Sequence, residues 1–184
     1  MFKIIACINR KNVIGNGGKL IYTIGNDLAN FASMTKFNGV VVMGRKTYES
    51  LPGHKPLKDR INVIITSNEN YGVNPDYDNV YIVHSIRDAV ELCATVFYDK
   101  ELFVIGGESI YQQFMDLNLV DEMLLTIVND DEDGDAKFPE FDENGWYCYY
   151  KSMAQTSSFN GVEKSFYFKI FKNRNKLSDT FNFG

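Results

Sequence analysis

Apolar positions along the chain fall into two spacings. Phe2–Asn9, Gly39–Met43, Ile61–Thr66, Val80–His84 and Glu101–Ile105 are short, almost unbroken apolar runs rich in β-branched residues, the pattern of buried strands. Between them the apolar residues recur at helical spacing. Asp27–Lys36 sets Leu28, Phe31 and Ala32 on one face, and Ser85–Ala94 opens on Ser85-x-x-Asp88, a capping-box-like start. Two shorter helices are expected, one after Gly44 through Leu51 and one over Glu108–Met115. Strands that alternate with amphipathic helices are covered on both faces, so the pattern predicts an α/β fold with a doubly wound, mostly parallel central sheet. Past Gly134 the pattern changes: Trp146–Met153 and Lys164–Lys172 are aromatic-rich strands, and Asn160-Gly161 between them signals a C-terminal antiparallel hairpin. One domain over 1–172 is expected, followed by a loosely ordered polar tail, Asn173–Gly184, with Leu177, Phe181 and Phe183 its few apolar members.

Composition narrows the function. The 184 residues suffice for one substantial core, and 45% hydrophobic content is far from that of a disordered chain. The net charge of −5 has the wrong sign for tracking a phosphate backbone, so nucleic acid is not an expected partner. No apolar run approaches the roughly 20 residues of a membrane span, and Met1-Phe2-Lys3 leads straight into a strand-like segment, so a cytoplasmic monomer is expected. Cys7, Cys93 and Cys148 are odd in number and widely spaced, and His54 and His84 have no nearby Cys or His, so neither a disulfide framework nor a metal site is expected. The acidic stretch Asn129–Asp135 lacks the regular ligand spacing of a calcium loop and reads as a solvated loop.

Three places could carry chemistry. Asp27 opens an amphipathic helix: it could present a carboxylate to a ligand, or simply cap the helix. Gly44-Arg45-Lys46-Thr47 follows an apolar strand and gathers backbone N–H groups, two cations and a hydroxyl, suited either to an anion or to a solvated helix start. Ile105-Gly106-Gly107 closes another strand where a ligand could approach the backbone, although it is not a full Gly-x-Gly-x-x-Gly fingerprint.

Taken together, Ile4-Ile5-Ala6, Val13-Ile14-Gly15, Asp27-Leu28-x-x-Phe31, Val42 through Ser50, Val104-Ile105-Gly106-Gly107, Leu125-Thr126, Gly134-Asp135 and Phe138-Pro139 resemble the dihydrofolate reductase family in order and spacing over residues 1–172. The resemblance implies reduction of 7,8-dihydrofolate to tetrahydrofolate by hydride from NADPH, in support of one-carbon metabolism and thymidylate synthesis. It implies that Asp27 binds the pterin and supports protonation at N5, with Leu20 and Tyr22 completing the catalytic surroundings. Ile5 and Ile105 would offer carbonyls to the pterin amine, and Leu28, Phe31 and Leu57 would form apolar walls. Arg60 would clamp the glutamate tail, Thr126 would orient the Asp27 side, and Tyr111 would approach the nicotinamide. For the cofactor, it implies Cys7 and Ile14, Gly15 and Leu20 beside the carboxamide, and Gly44, Arg45, Lys46, Thr47 and Ser67 at the phosphates and adenosine. Gly106 and Gly107 would form a cis peptide, with Glu108, Ser109 and Ile110 following. Two departures stand out: Ile21-Tyr22 replaces a usual Pro-Trp pair, and Ser109 stands where some bacterial members have an arginine. A related pterin or pyrimidine reductase and a folate-binding component without turnover are the alternatives.

Overall fold

The structure, a computed structural model, describes residues 1–142 and 144–177. Its centre is a nine-stranded sheet. β1 (Phe2–Asn9), β4 (Gly39–Gly44), β5 (Ile61–Ile65), β6 (Val80–Val83), β7 (Glu101–Gly106) and β8 (Val120–Val128) run parallel in the order β8-β1-β7-β4-β5-β6. The predicted parallel strands are therefore all present, and β8, which the hydrophobic pattern had not marked as a strand, lies beside β1.

The even positions of β1 (Phe2, Ile4, Ala6, Ile8) pack with Val40, Val42, Val104 and the inner faces of α3 (Ile86–Thr95) and α4 (Glu108–Asp116). The other face packs Val41, Met43, Ile64 and Phe103 against α1 (Gly25–Thr35) and α2 (Arg45–Ser50) through Phe31, Met34 and Tyr48. Helices on both faces explain why these strands read as unbroken apolar runs. In β1 the odd residues Ile5 and Cys7 are only half-buried.

The helix caps agree with the sequence at α3, where the Ser85 hydroxyl accepts from the Asp88 N–H at 3.0 Å. They disagree at α1, which begins two residues early. Its N-cap is the buried Ile24, with no side-chain cap, so Asp27 sits inside the first turn and is not the cap.

The C-terminal strands also need correction. β12 (Val162–Asn173) pairs along one edge with β8 and along the other with two strands in succession. The Asn160-Gly161 turn joins it to β11 (Gln155–Phe159), while β10 (Trp146–Lys151) pairs with its far half. Twelve residues give β12 room for both partners, and the polar run of β11 hides it from a hydrophobic pattern. β12 extends through Asn173, whose buried amide donates to the Asn118 Oδ1 (3.0 Å) and the Val120 carbonyl (2.9 Å). A helical turn, α5 (Arg174–Leu177), follows, so the start of the expected tail belongs to the fold. Residues 178–184 lie outside the described residues.

A small second sheet carries the loop before α1. β2 (Val13–Asn16) pairs with β3 (Lys19–Leu20) across Gly17-Gly18, both at positive φ, and with β9 (Ala136–Lys137).

Candidate active site

The site lies beyond the carboxyl ends of the parallel strands, where open α/β sheets form their crevice. β1 and β8 place Cys7 opposite Thr126 in the ladder, and the Thr126 hydroxyl donates to Asp27 Oδ1. Among the described residues this is the one side chain bonded to Asp27, which leaves acceptor capacity on the carboxylate. Burial raises the Asp27 pKa above its ordinary value, and the Thr126 bond opposes that rise. Tyr111 is buried and donates to the Ile5 carbonyl at 2.7 Å. Its pKa is pushed up by burial and then by the Asp27 charge, and the Cys7 thiol is raised by the same two causes.

Ile5, Phe31, Leu57 and Ile105 pack on one apolar cluster, and of these Ile105 also lines a large cleft, whereas Leu28 is 41% exposed. Arg60 is half-buried. Its Nη1 donates to the Thr35 hydroxyl (2.9 Å) and its Nε to the Lys58 carbonyl (3.0 Å), while the guanidinium stands 5.6 Å from the Phe31 ring centroid. Nη2 has no partner among the described residues. The loop that carries Leu57 and Arg60 is fixed by two asparagines that the sequence reading did not single out. The fully buried Asn62 accepts from the Leu57 N–H (2.9 Å) and donates to the Leu57 and Arg60 carbonyls, and Asn79 donates to the same two carbonyls.

Cys7 and Tyr111 both belong to the wall of that cleft, which has a volume of about 1180 Å³. Its walls contain Cys7, Ile14, Gly15 and Leu20 at one end and Gly44, Arg45, Lys46, Thr47 and Ser67 at the other. Ile105, Gly107, Glu108, Ser109, Ile110 and Tyr111 form the middle. Of the residues expected at the cofactor, Gly106 alone is absent from the wall. The Gly106–Gly107 peptide is cis, and Gly106 has φ +104°. A Cβ there would meet the Tyr111 ring at 2.9 Å, so a side chain at this turn would displace the buried tyrosine.

Other groups qualify the expected charges. Arg45 Nη1 is paired with both Glu49 oxygens at 3.0 and 3.1 Å. The Ser109 hydroxyl accepts from Gln113, and Glu108 accepts from the Lys137 N–H. His84, unassigned from the sequence, also lines the cleft, with Nδ1 2.9 Å from the Thr66 carbonyl. Its position at the carboxyl end of the predicted strand Val80–His84, the end at which open α/β sheets form their crevice, was the available signal.

Tyr22 departs from its expected role. Its ring is 2% exposed, packed with Val13, Ile21, Ile24, Val128 and Phe166, and it does not line the cleft. Its hydroxyl donates to Asp130 Oδ2 at 2.7 Å and accepts from Asn9 Nδ2 at 3.3 Å, so it is spent on the acidic stretch and on Asn9. That stretch is itself paired and not merely solvated: Arg10 with Asp131, Lys11 with Asp133, and Lys164 with Asp130 and Glu132. The Gly17 N–H donates to Asp135 at 3.0 Å.

Fold and site thus define an open, doubly wound α/β protein with a half-buried carboxylate, Asp27, near a large, partly cationic cleft. A family model described as dihydrofolate reductase matches residues 1–172. A dihydrofolate reductase of Bacillus subtilis is 29% identical over 176 residues, covering 96% of this chain and 98% of that protein. One from Staphylococcus aureus is 32% identical over 143 residues, 78% of this chain and 80% of the relative. In structure the chain resembles dihydrofolate reductase from Enterococcus faecalis complexed with NADP(H) and RAB-propyl, with a TM-score of 0.77 at 24% identity over 95% of this chain and 96% of the other. The chain belongs to the dihydrofolate reductase family.

Proposed function

We propose that the chain performs its family's reaction, the NADPH-dependent reduction of 7,8-dihydrofolate to 5,6,7,8-tetrahydrofolate, with Asp27 as the pterin-binding carboxylate. The observation that carries this assignment is the half-buried Asp27, bonded to the Thr126 hydroxyl and close enough for its charge to act on Cys7 and Tyr111, both of which line the cleft. An ionised carboxylate with spare lone pairs there accepts from the N3–H and 2-amino group of a pterin, and the fixed charge favours a proton at N5. Tyr111, bonded to the Ile5 carbonyl, fixes the backbone that faces the pterin amine. Arg60, with Nε and Nη1 anchored to the protein, offers its outer edge to the carboxylate of the glutamate tail, an arrangement that a reductase of tail-free pterins does not need.

The cleft residues fit a dinucleotide. Gly44 and Gly107 leave room along the wall: a Cβ at Gly44 would stand 3.0 Å from Ile110 and one at Gly107 3.3 Å from the Thr47 hydroxyl. Arg45, Lys46, Thr47 and Ser67 would hold its phosphates and adenosine, and Cys7, Ile14 and Leu20 its nicotinamide end. When bound, NADPH supplies the hydride, while the protein orients both ligands and excludes water. No helix among the described residues is long and apolar enough to cross a membrane. Cys7, Cys93 and Cys148 are free thiols, which supports a reducing compartment, and we place the enzyme in the cytosol as a monomer.

The test is oxidation of NADPH or NADH, followed by loss of reduced-nicotinamide absorbance, with and without dihydrofolate. Dihydrofolate-dependent oxidation with NADPH preferred is expected; no oxidation above the substrate-free control refutes the assignment.

A further inference from the structure

The segment between β3 and α1 connects Leu20, on the cleft wall, to the first turn of α1, which carries Asp27. It has neither the proline that would fix its backbone nor the tryptophan that would fill the space beneath it. Something else has to hold it. Tyr22 fills that space with a ring edge-on to Phe159, at 5.5 Å between centroids, and its hydroxyl reaches Asp130 at 2.7 Å. Lys164 of β12 bonds the same Asp130 oxygen and stands 5.4 Å from the Tyr22 ring centroid. Asn9 closes the cluster: its amide donates to the Tyr22 hydroxyl and to the Glu132 carbonyl (2.7 Å), while its Oδ1 accepts from the Val13 N–H. The ion pair is largely shielded, with 17% of the Lys164 and 25% of the Asp130 side chain exposed. It is therefore less screened than a surface pair.

We propose that Asp130 and Lys164, acting through Tyr22, are positioning residues for hydride transfer: they latch the segment 20–24 to the β8–β9 loop and the C-terminal hairpin. The latch holds both ends of what it grips. Ile24 packs beside Tyr22 and is the N-cap of α1, its carbonyl accepting from the Leu28 N–H at 3.0 Å. Asp27 follows within that turn. On the other side, the Ile21 N–H bonds the Ile14 carbonyl at 3.2 Å, which sets Leu20 against the cleft. Displacement of either end by an ångström is enough to lower a rate by orders of magnitude. None of the latch residues touches the tail subsite at Arg60, so binding through the glutamate tail should persist when the latch is cut, and the larger loss should fall on the chemical step.

The proposal rests on the reductase reading, which wild-type turnover tests by itself. The latch is tested in single-turnover hydride transfer, KM for dihydrofolate and amide hydrogen exchange of the ligand-free protein. Tyr22→Phe, which removes one oxygen and keeps the ring, and Asp130→Asn should each slow hydride transfer by about tenfold, the loss of one charge-assisted hydrogen bond. KM for dihydrofolate should change by less than the rate of hydride transfer does. The double variant should be no slower than the slower single one, because both cut the same contact. Lys164→Met should slow the step and Lys164→Arg restore it. Exchange should accelerate in residues 19–25 and not in α3. Should Asp130→Asn fail to fold, Tyr22→Phe alone decides. Wild-type hydride transfer in folded Tyr22→Phe, losses that add in the double variant, or faster exchange spread over the whole molecule would overturn the proposal.

Discussion

Asp27→Asn isolates the charge of the pocket from its shape. In the wild type Asp27 Oδ1 accepts from Thr126, and no other side chain among the described residues bonds the carboxylate. If the substituted amide keeps the Thr126 bond with its oxygen, an NH₂ group meets the donors of the pterin. If it turns, a neutral oxygen replaces an ionised one. Either way a charge-assisted hydrogen bond is lost, about 1.5–3 kcal/mol or roughly 10- to 150-fold in affinity. The charge that favours N5 protonation is also lost, and such assistance is commonly worth about 10²–10⁴-fold. Steady-state kcat/KM at neutral pH should therefore fall by at least about 10²-fold, and lower pH should recover part of kcat because solvent then protonates the substrate. The same substitution should stabilise the ligand-free protein. Burial raises the folded-state pKa of Asp27, so its contribution to stability is fully present below the unfolded-state pKa and lost as pH rises through the folded one. Wild-type stability should decline across that window, and the variant should lack the decline and melt higher at neutral pH. Wild-type-like kcat/KM at neutral pH would remove Asp27 from the chemistry, and a lower melting temperature would refute the burial argument.

The other consequences separate the subsites. Thr126→Val removes the bond that opposes the raised Asp27 pKa, so the acid limb of kcat/KM should move to higher pH; a limb unchanged or moved down would sink the coupling. Arg60→Ala should weaken dihydrofolate binding by about 10- to 150-fold and leave a pterin without the glutamate tail nearly unaffected, as equilibrium titration of both ligands would show. Arg45→Ala should raise KM for NADPH more than for NADH, and Ser109→Arg should sharpen the preference, more at low salt; equal effects on both cofactors would place Arg45 at a shared phosphate instead.

The long apolar strands and the α3 cap were legible because their signals are local: a run of β-branched residues, or Ser85 three positions before Asp88. The family was legible as a set of short motifs at strand ends. What was hidden depended on partners distant in sequence or on segments too short to show a period. β3 and β9 have two residues each, and β11 (Gln155-Thr156-Ser157-Ser158-Phe159) is polar because its neighbour supplies the pairing. Asn62, within an apolar strand, gave no sign that its amide holds a loop, and the start of α1 was misplaced because its cap is an apolar residue.

The acidic stretch shows most clearly why composition alone misleads. Counted as charge, Asn129–Asp135 looks like a solvated surface and a handicap for binding a polyanion. In the fold Arg10, Lys11 and Lys164 stand against Asp131, Asp133 and Asp130, so much of that charge is cancelled within a few ångströms, inside a Debye length of about 8 Å. Asp135, on the cleft wall, is turned to the Gly17 N–H. The net charge of −5 therefore does not by itself describe the cleft, whose wall carries Lys19, Arg45 and Lys46 together with Glu108 and Asp135, Arg45 being paired with Glu49. The pairing of the acidic stretch gives its residues a mechanical use. A carboxylate neutralised by Lys164 can accept from the Tyr22 hydroxyl without an isolated charge being buried beside the core, so Asp130 can grip the active-site segment from behind.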